Sequence, residues 1–322
     1  MTKRLIYIII TLLLVSLNGN SQDTDFGTGY RTGMLANPAF SGTVGDGQLN
    51  LSYFNFYPGN SYNLNSYFLS YDTYIPVLHG GTGFYLSNDA LGGVYNDLRG
   101  GLGYAYHLKA DNDFYINAGL TASVINRGVK RSKIILPDQI NPFGGGIITS
   151  AETISDLNHA VFDIGVGFLI TYKNMTGGIA LNHFAEPDLS GTGNNDFRIR
   201  RKYSFQLSGT FNDGVSKSVI VRPIISAEVQ GNHASLAAGS SFRYNIISVN
   251  AVLFGDKERN IDLQTGFSLS AGKAIVYYNY KFNLVSSSEQ FPFSLLHQTG
   301  VIISLNIVDK RKIIKTINFP EL

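Results

Sequence analysis

Residues 160–172 read AVFDIGVGFLITY, and the spacing of their apolar side chains decides the fold. Ala160, Phe162, Ile164, Val166, Phe168, Ile170 and Tyr172 take every second position, with Asp163, Gly165, Gly167 and Thr171 between them. Successive side chains of an extended chain point to opposite faces, so this stretch has one face suited to an apolar medium and one suited to a polar one. A helix would need apolar residues three and four apart, and no convincing run of that kind follows residue 21.

The period of two recurs along the chain. It is seen in Phe114, Ile116, Ala118, Leu120, Ala122 and Val124, interleaved with Tyr115, Asn117, Gly119, Thr121 and Ser123. It returns at Tyr203, Phe205 and Leu207, at Val276, Tyr278, Tyr280, Phe282 and Leu284, and at Val301, Ile303 and Leu305. Breaking the sequence at turn-forming residues predicts fourteen strands: 48–57, 61–75, 80–88, 97–109, 112–126, 160–172, 174–184, 200–211, 218–230, 233–244, 246–255, 261–271, 273–284 and 296–307. Most match the roughly 9–11 residues that a tilted strand needs to cross a bilayer.

The connections follow the same logic. The longest, 89–96, 127–159, 185–199 and 285–295, follow odd-numbered strands and so fall at one end of an up-and-down sheet. Ala110-Asp111, Lys173, Asn245 and Gly272 mark tight turns at the other end. Short turns at one end and long loops at the other are the asymmetry of bacterial outer-membrane barrels.

Composition agrees. Charged residues are 15% of the chain, against roughly 25% in ordinary soluble domains, while 19 Tyr and 21 Phe bring the aromatics to 12%. Lys3 and Arg4 precede an uncharged run from Leu5 to Leu17, and Gly19-Asn20-Ser21 supplies small residues, so residues 1–21 read as a cleaved signal peptide. Removing those two bases leaves 23 of the 25 Lys+Arg against 23 Asp+Glu, a balance with no basic field to attract nucleic acid. No cysteine occurs, which excludes a disulfide framework, a thiol nucleophile, a thiolate zinc site and a lipid-carrying cysteine.

An exported chain with no apolar helix after its signal can cross a membrane only as a closed barrel, because every backbone N–H and C=O in lipid needs a partner within the protein. The expected fold is therefore all-β, a transmembrane up-and-down antiparallel barrel over 48–307. A periplasmic N-terminal segment, 22–47, precedes it and a periplasmic tail, 308–322, follows. The competing reading is a secreted β-sandwich, whose strands also alternate.

The sequence offers little catalytic chemistry. His79, His107, His159, His183, His233 and His297 are too far apart to form a local metal clasp, and each reads as a strand or loop residue at the water boundary. The G-x-G pairs at Gly27/Gly29, Gly81/Gly83, Gly101/Gly103 and Gly165/Gly167 lack the helix that a dinucleotide fingerprint requires, and read as close packing or bends within strands. Basic runs at Lys130, Arg131 and Lys133, at Arg198 to Lys202, and at Lys310 to Lys315 read as rim charge. No enzyme, cofactor or metal is expected.

Between the signal and the first strand lies LANPAFSGT, residues 35–43. Pro38 cannot donate to a sheet, and Gly42 and Gly45 favour turns. The segment therefore starts the barrel as an ordered turn, plugs its lower mouth, or touches a periplasmic partner.

Asn37-Pro38-Ala39-Phe40-Ser41-Gly42 is followed by Ser70-Tyr71-Asp72, by Gly80-Gly81-Thr82-Gly83 with Asp89 and Gly92, by Tyr104-Ala105-Tyr106-His107-Leu108 and by Pro137-Asp138-Gln139-Ile140. In that order and spacing, over about residues 22–307, the chain resembles the PorP/SprF family of outer-membrane proteins of the type IX secretion system in Bacteroidetes. The resemblance implies a component of the secretion and gliding machinery that receives or anchors the C-terminal domain of a secreted surface protein, beside other periplasmic secretion components. It points to Asn37, Pro38, Ala39, Gly42, Tyr71, Asp72, Asp89, Asp138 and Gln139 as partner-contact or structural positions. The tail and the Gly144-Gly145-Gly146 loop depart from the family pattern.

On the polar strand face, Asn117, Thr121, Asp163, Gln206, Gln264, Asn279 and Asn283 are expected to line the lumen, where an inserted partner would meet them. The alternative function for the same pattern is a porin or a substrate-specific transport channel. Outer-membrane lipid surrounds the barrel in either case.

Overall fold

The structure, a computed structural model, describes residues 33–45, 47–59, 64–130, 139, 158–189, 198–212, 219–286 and 293–305. A short helix α1 (Gly33–Ala36) and a 3-10 turn (Pro38–Phe40) lead into β1 (Gln48–Phe56), β2 (Leu64–Ile75), β3 (Gly80–Leu91), β4 (Tyr95–Asp111) and β5 (Phe114–Val129). β6 (Asn158–Tyr172), β7 (Met175–Asn182) and β8 (Lys202–Gly209) follow, and β8 resumes as Phe211–Asn212 beyond an interruption at Thr210. Both pieces of β8 pair with β9 (Val219–Gln230), so they count as one strand. β10 (His233–Tyr244), β11 (Ile247–Asp256), β12 (Ile261–Ala271), β13 (Ala274–Val285) and β14 (Ser294–Ser304) complete the sheet.

Each strand pairs antiparallel with its sequence neighbour, and β14 pairs back onto β1 from Gln48↔Ser304 to Phe56↔Leu296. Joining the first strand to the last leaves no open edge, the condition a sheet must meet in lipid. The secreted sandwich is thereby excluded. No helix among the described residues is long and apolar enough to cross a membrane.

The alternation runs as the periodicity requires. On β6, Phe162, Phe168, Ile170 and Tyr172 face outward and are exposed, whereas Asp163, Leu169 and Thr171 face inward and are buried. On β5, Leu120 and Val124 point out, and Asn117, Thr121, Ser123 and Ile125 point in. In bulk water so many exposed Leu, Ile, Phe and Tyr would be a liability; against hydrocarbon they are the matched surface.

The turns divide by end. Asn112-Asp113, Lys173-Asn174, Asn245-Ile246 and Gly272-Lys273 close tight connections at the end where β1 starts and β14 stops. Ala110 and Asp111 belong to β4, so the first turn, Asn112-Asp113, lies just beyond its expected place. The connection expected at 89–96 is short: β3 and β4 pair through Leu91↔Tyr95, and Gly92 and Gly93 turn the chain with φ of 61° and 70°. Polar residues made that stretch look like a loop, but Asp89 is a buried inward-facing strand residue and Asn96 is paired in register with Ala90 and Gly128. The connections after β5, β7 and β13 remain the long ones, at the opposite end.

Candidate functional site: a segment seated on the inner wall

Residues 33–45 lie inside the barrel rather than below it. The segment satisfies much of its own backbone, as a buried non-strand segment must. Asn37 accepts the Ala39 N–H on Oδ1 at 2.9 Å, capping the 3-10 turn, while Pro38 fills a first position where a missing N–H costs little. The hydroxyls of Ser41 and Thr43 donate to the carbonyls of Pro38 and Phe40, each at 2.9 Å. Uncharged and closed on itself, the segment can be buried at small electrostatic cost.

The wall meets it with glycine. On five consecutive strands, β3 to β7, Gly81, Gly103, Gly119, Gly167 and Gly178 face the segment. A Cβ on Gly81 would strike Ser41 and Gly42; on Gly103, Met34 and Ser41; on Gly119, Pro38 and Ala39; on Gly167, the Asn37 amide; on Gly178, Leu169, while crowding the Asn37 amide. The glycines form a trough that admits main chain against main chain. Three belong to the G-x-G pairs noted in the sequence.

Side chains of the wall fasten the remaining polar groups. The Asn37 amide donates to the carbonyls of Phe168 and Ile179 at 3.4 and 3.2 Å. Asn117 donates to the Ala39 carbonyl at 3.4 Å, and Asn182 to those of Leu35 and Ala36, both at 3.3 Å. His107 donates from Nε2 to the Ser41 carbonyl at 3.0 Å, and the Asp72 carboxylate accepts the Gly42 N–H at 2.8 Å. At one end Met34 enters an apolar cluster with Phe54, Phe68, Tyr85 and Leu296; Ala39 and Phe40 pack on Leu169. Burying Met34 and Phe40 contributes roughly 1.5–3 kcal/mol each.

Several motif positions therefore converge on one place: Asn37, Pro38, Ala39 and Gly42 in the segment, Asp72 from β2, and Gly81 and His107 from the neighbouring motifs. Tyr71 points the other way, packing its ring 6.0 Å from Phe84 on the outer face. Asp89 is buried on the inner face of β3 opposite Asp97 of β4, at the far end of the strand from Gly81, and so stands apart from the segment. Gln139 is half-buried in the connection after β5, and Asp138 lies outside the described residues.

The seven inward positions divide between two walls. Asn117 touches the segment, Gln206 and Thr121 line the trough, and Asp163 pairs with His183 at 2.7 Å. Gln264, Asn279 and Asn283 belong to the far wall, where Asn279 donates to Gln298 at 3.0 Å and Asn283 to Asp262 at 2.8 Å. The reading of every histidine as a boundary residue is corrected here. His183 is 2% exposed inside the lumen and His107 is buried under the segment, while His297 stacks on Tyr280 outside. Polar partners at long sequence separation drew the first two inward, which local pattern does not reveal.

Residues 1–32, the tail 308–322 and most of the two long outer loops lie outside the described residues. So do Arg131, Lys133 and the basic run from Lys310. Arg201 is described, and its guanidinium lies 5.7 Å from the Phe184 ring.

A closed fourteen-strand antiparallel barrel with an apolar outer wall and a polar, occupied interior is an outer-membrane β-barrel. Residues 18–291 match the family described as type IX secretion system membrane protein PorP/SprF, and the chain belongs to that family. It is an outer-membrane barrel component of the type IX secretion system.

Among solved structures, the chain is similar to the Pseudomonas putida toluene transporter TodX, at 13% identity and a TM-score of 0.48 over 89% of this chain and 95% of that one. It is also similar to the Acinetobacter baumannii outer membrane protein Omp33, at 6% identity and a TM-score of 0.49 over 82% and 100%. No protein of curated function matches the sequence.

Proposed function

We propose that this barrel is a closed subunit that receives or anchors the C-terminal domain of one secreted surface protein at its outer face, and does not conduct solutes. The observation that supports this reading is the seated segment. Its backbone is hydrogen-bonded to wall side chains at Leu35, Ala36, Ala39, Ser41 and Gly42, and inward side chains of the opposite wall, such as Gln264, Asn279 and Gln298, are about 1% exposed. A segment seated on one wall and polar side chains packed out of solvent on the other suit a docking subunit better than a pore. Secretion components are the partners family membership implies, and the cargo domain is the more specific partner proposed here.

Deleting the gene and comparing the surface and medium proteomes tests it. Loss of one large secreted protein from the cell surface is the expected result. An unchanged surface proteome with altered uptake of small solutes would overturn the proposal in favour of a transport channel.

A further inference from the structure

The far wall keeps a cavity where the near wall is covered. It holds about 310 Å³ and opens toward the outer mouth, between the outer ends of β9 to β14 and of β1. That volume is at the small end of the roughly 300–1,000 Å³ of ligand pockets, enough for a single large side chain and not for a folded domain. Phe56, Phe254 and Leu296 supply apolar lining, and Glu228, Asp256 and Asp262 supply carboxylates, Phe254 and Asp262 being opposite one another on neighbouring strands.

Three carboxylates and one ammonium, that of Lys281, line this space. Two of the carboxylates have cations: Lys202 lies 2.8 Å from Glu228, and Lys281 lies 3.5 Å from Asp262. Asp256 is held differently. Its oxygens accept the backbone N–H of Asn260 at 2.8 Å and the Asn260 side-chain amide at 2.6 Å, which orients the carboxylate without cancelling its charge. Lys257 and Arg259, on the adjoining turn, are exposed and are not part of the lining.

We infer that this cavity is a subsite for an arginine side chain of an exported polypeptide, its aliphatic stem along Phe56 and Leu296 and its guanidinium beside Asp256. The cavity already holds such an arrangement: Lys281 places its Nζ 4.3 Å from the Phe254 ring centre while facing Asp262. An aromatic face and a carboxylate side by side attract a cation twice, and a planar guanidinium answers a carboxylate with paired donors. An anionic side chain would meet the one carboxylate of the lining that no cation faces, Asp256, and a neutral one would leave its charge offset only by the Asn260 hydrogen bonds. The inference rests on the docking function proposed above, whose partner approaches from this end.

The test uses the full chain in detergent micelles and follows binding of Nα-acetyl-arginine amide by ligand-observed NMR. Nα-acetyl-norleucine amide, which has the stem without the charge, and Nα-acetyl-glutamate amide serve as comparators. Saturable binding of the arginine probe alone is expected, weakened about tenfold or more by Asp256→Asn. Phe254→Leu should also weaken it. Equal binding of the norleucine probe, no binding of the arginine probe, or unchanged affinity in an Asp256→Asn protein that keeps its folded gel mobility would overturn the inference. The comparison of probes on the unaltered chain decides the matter even if a variant fails to fold. Failure here with loss of a surface protein on gene deletion would sink the subsite alone; probe binding with an unchanged surface proteome would sink the docking function alone.

Discussion

The carboxylate of Asp72, on the second strand, accepts the backbone N–H of Gly42 at 2.8 Å, thirty residues earlier in the chain. This contact ties the lower end of the seated segment to the wall just before the chain turns into β1. Replacing Asp72 by Ala leaves that N–H without its partner inside the barrel, at a cost of about 1–3 kcal/mol. Heating in detergent followed by electrophoresis should show the folded band of Asp72→Ala lost at a lower temperature, with Asp72→Asn, which keeps an acceptor oxygen, in between. Identical melting of all three proteins would show that the contact does not hold the segment.

Gly119 and Gly167 are among the closest approaches of wall to segment, and a side chain on either occupies the space of the Asn37–Ala39 stretch. Gly119→Leu should expel the segment while leaving the outward face intact. In planar bilayers the parent protein should stay closed, and Gly119→Leu and a deletion of residues 33–45 should both conduct. Silent bilayers with both folded variants would remove the segment as the block.

The buried pair of Asp163 and His183 joins β6 to the residue that follows β7. His183→Ala strands a carboxylate within the lumen, and its cost is about 3–5 kcal/mol. His297, on the outer face, bonds to the Tyr278 hydroxyl at 2.6 Å, and His297→Ala should lose only about 0.5–1.5 kcal/mol. Denaturant unfolding in lipid vesicles measures both, and equal losses would contradict the assignment of the two histidines to different faces.

Leu120 and Thr121 are neighbours in sequence on opposite faces of β5, the first 52% exposed and the second 6%. Leu120→Arg puts a charge against hydrocarbon at a cost of about 2–4 kcal/mol near the bilayer midplane. Thr121→Ser keeps an inward hydroxyl, and its unfolding midpoint should stay close to the parent value. If Leu120→Arg is equally well tolerated in vesicles, the outward face of β5 is not in lipid.

Much of the barrel was legible because the code for a membrane strand is local. Phe162 to Tyr172 declare their faces by a period of two, with no reference to the rest of the chain. The exceptions had local causes too: Asp89 and Asn96 resembled a loop because polar residues at a strand end have the composition of a turn. The site was less legible. Gly81, Gly103, Gly119, Gly167 and Gly178 are ordinary strand glycines one at a time, and His107 and His183 are isolated histidines until the strands are in register.

Sequence alone determined that this chain is a series of strands with one apolar and one polar face, since side-chain alternation and low charge are properties of each segment by itself; that they close into a barrel and not a sandwich was decided by the pairing of β14 with β1. Tertiary structure decided that Asn37-Pro38-Ala39 lies within the lumen. That placement depends on contacts between residues 30 to 147 positions apart, from Gly42 with Asp72 to Leu35 with Asn182. Such contacts exist only once the pairing of β3 to β7 has brought five glycines into one trough, because register, unlike period, is a relation between strands.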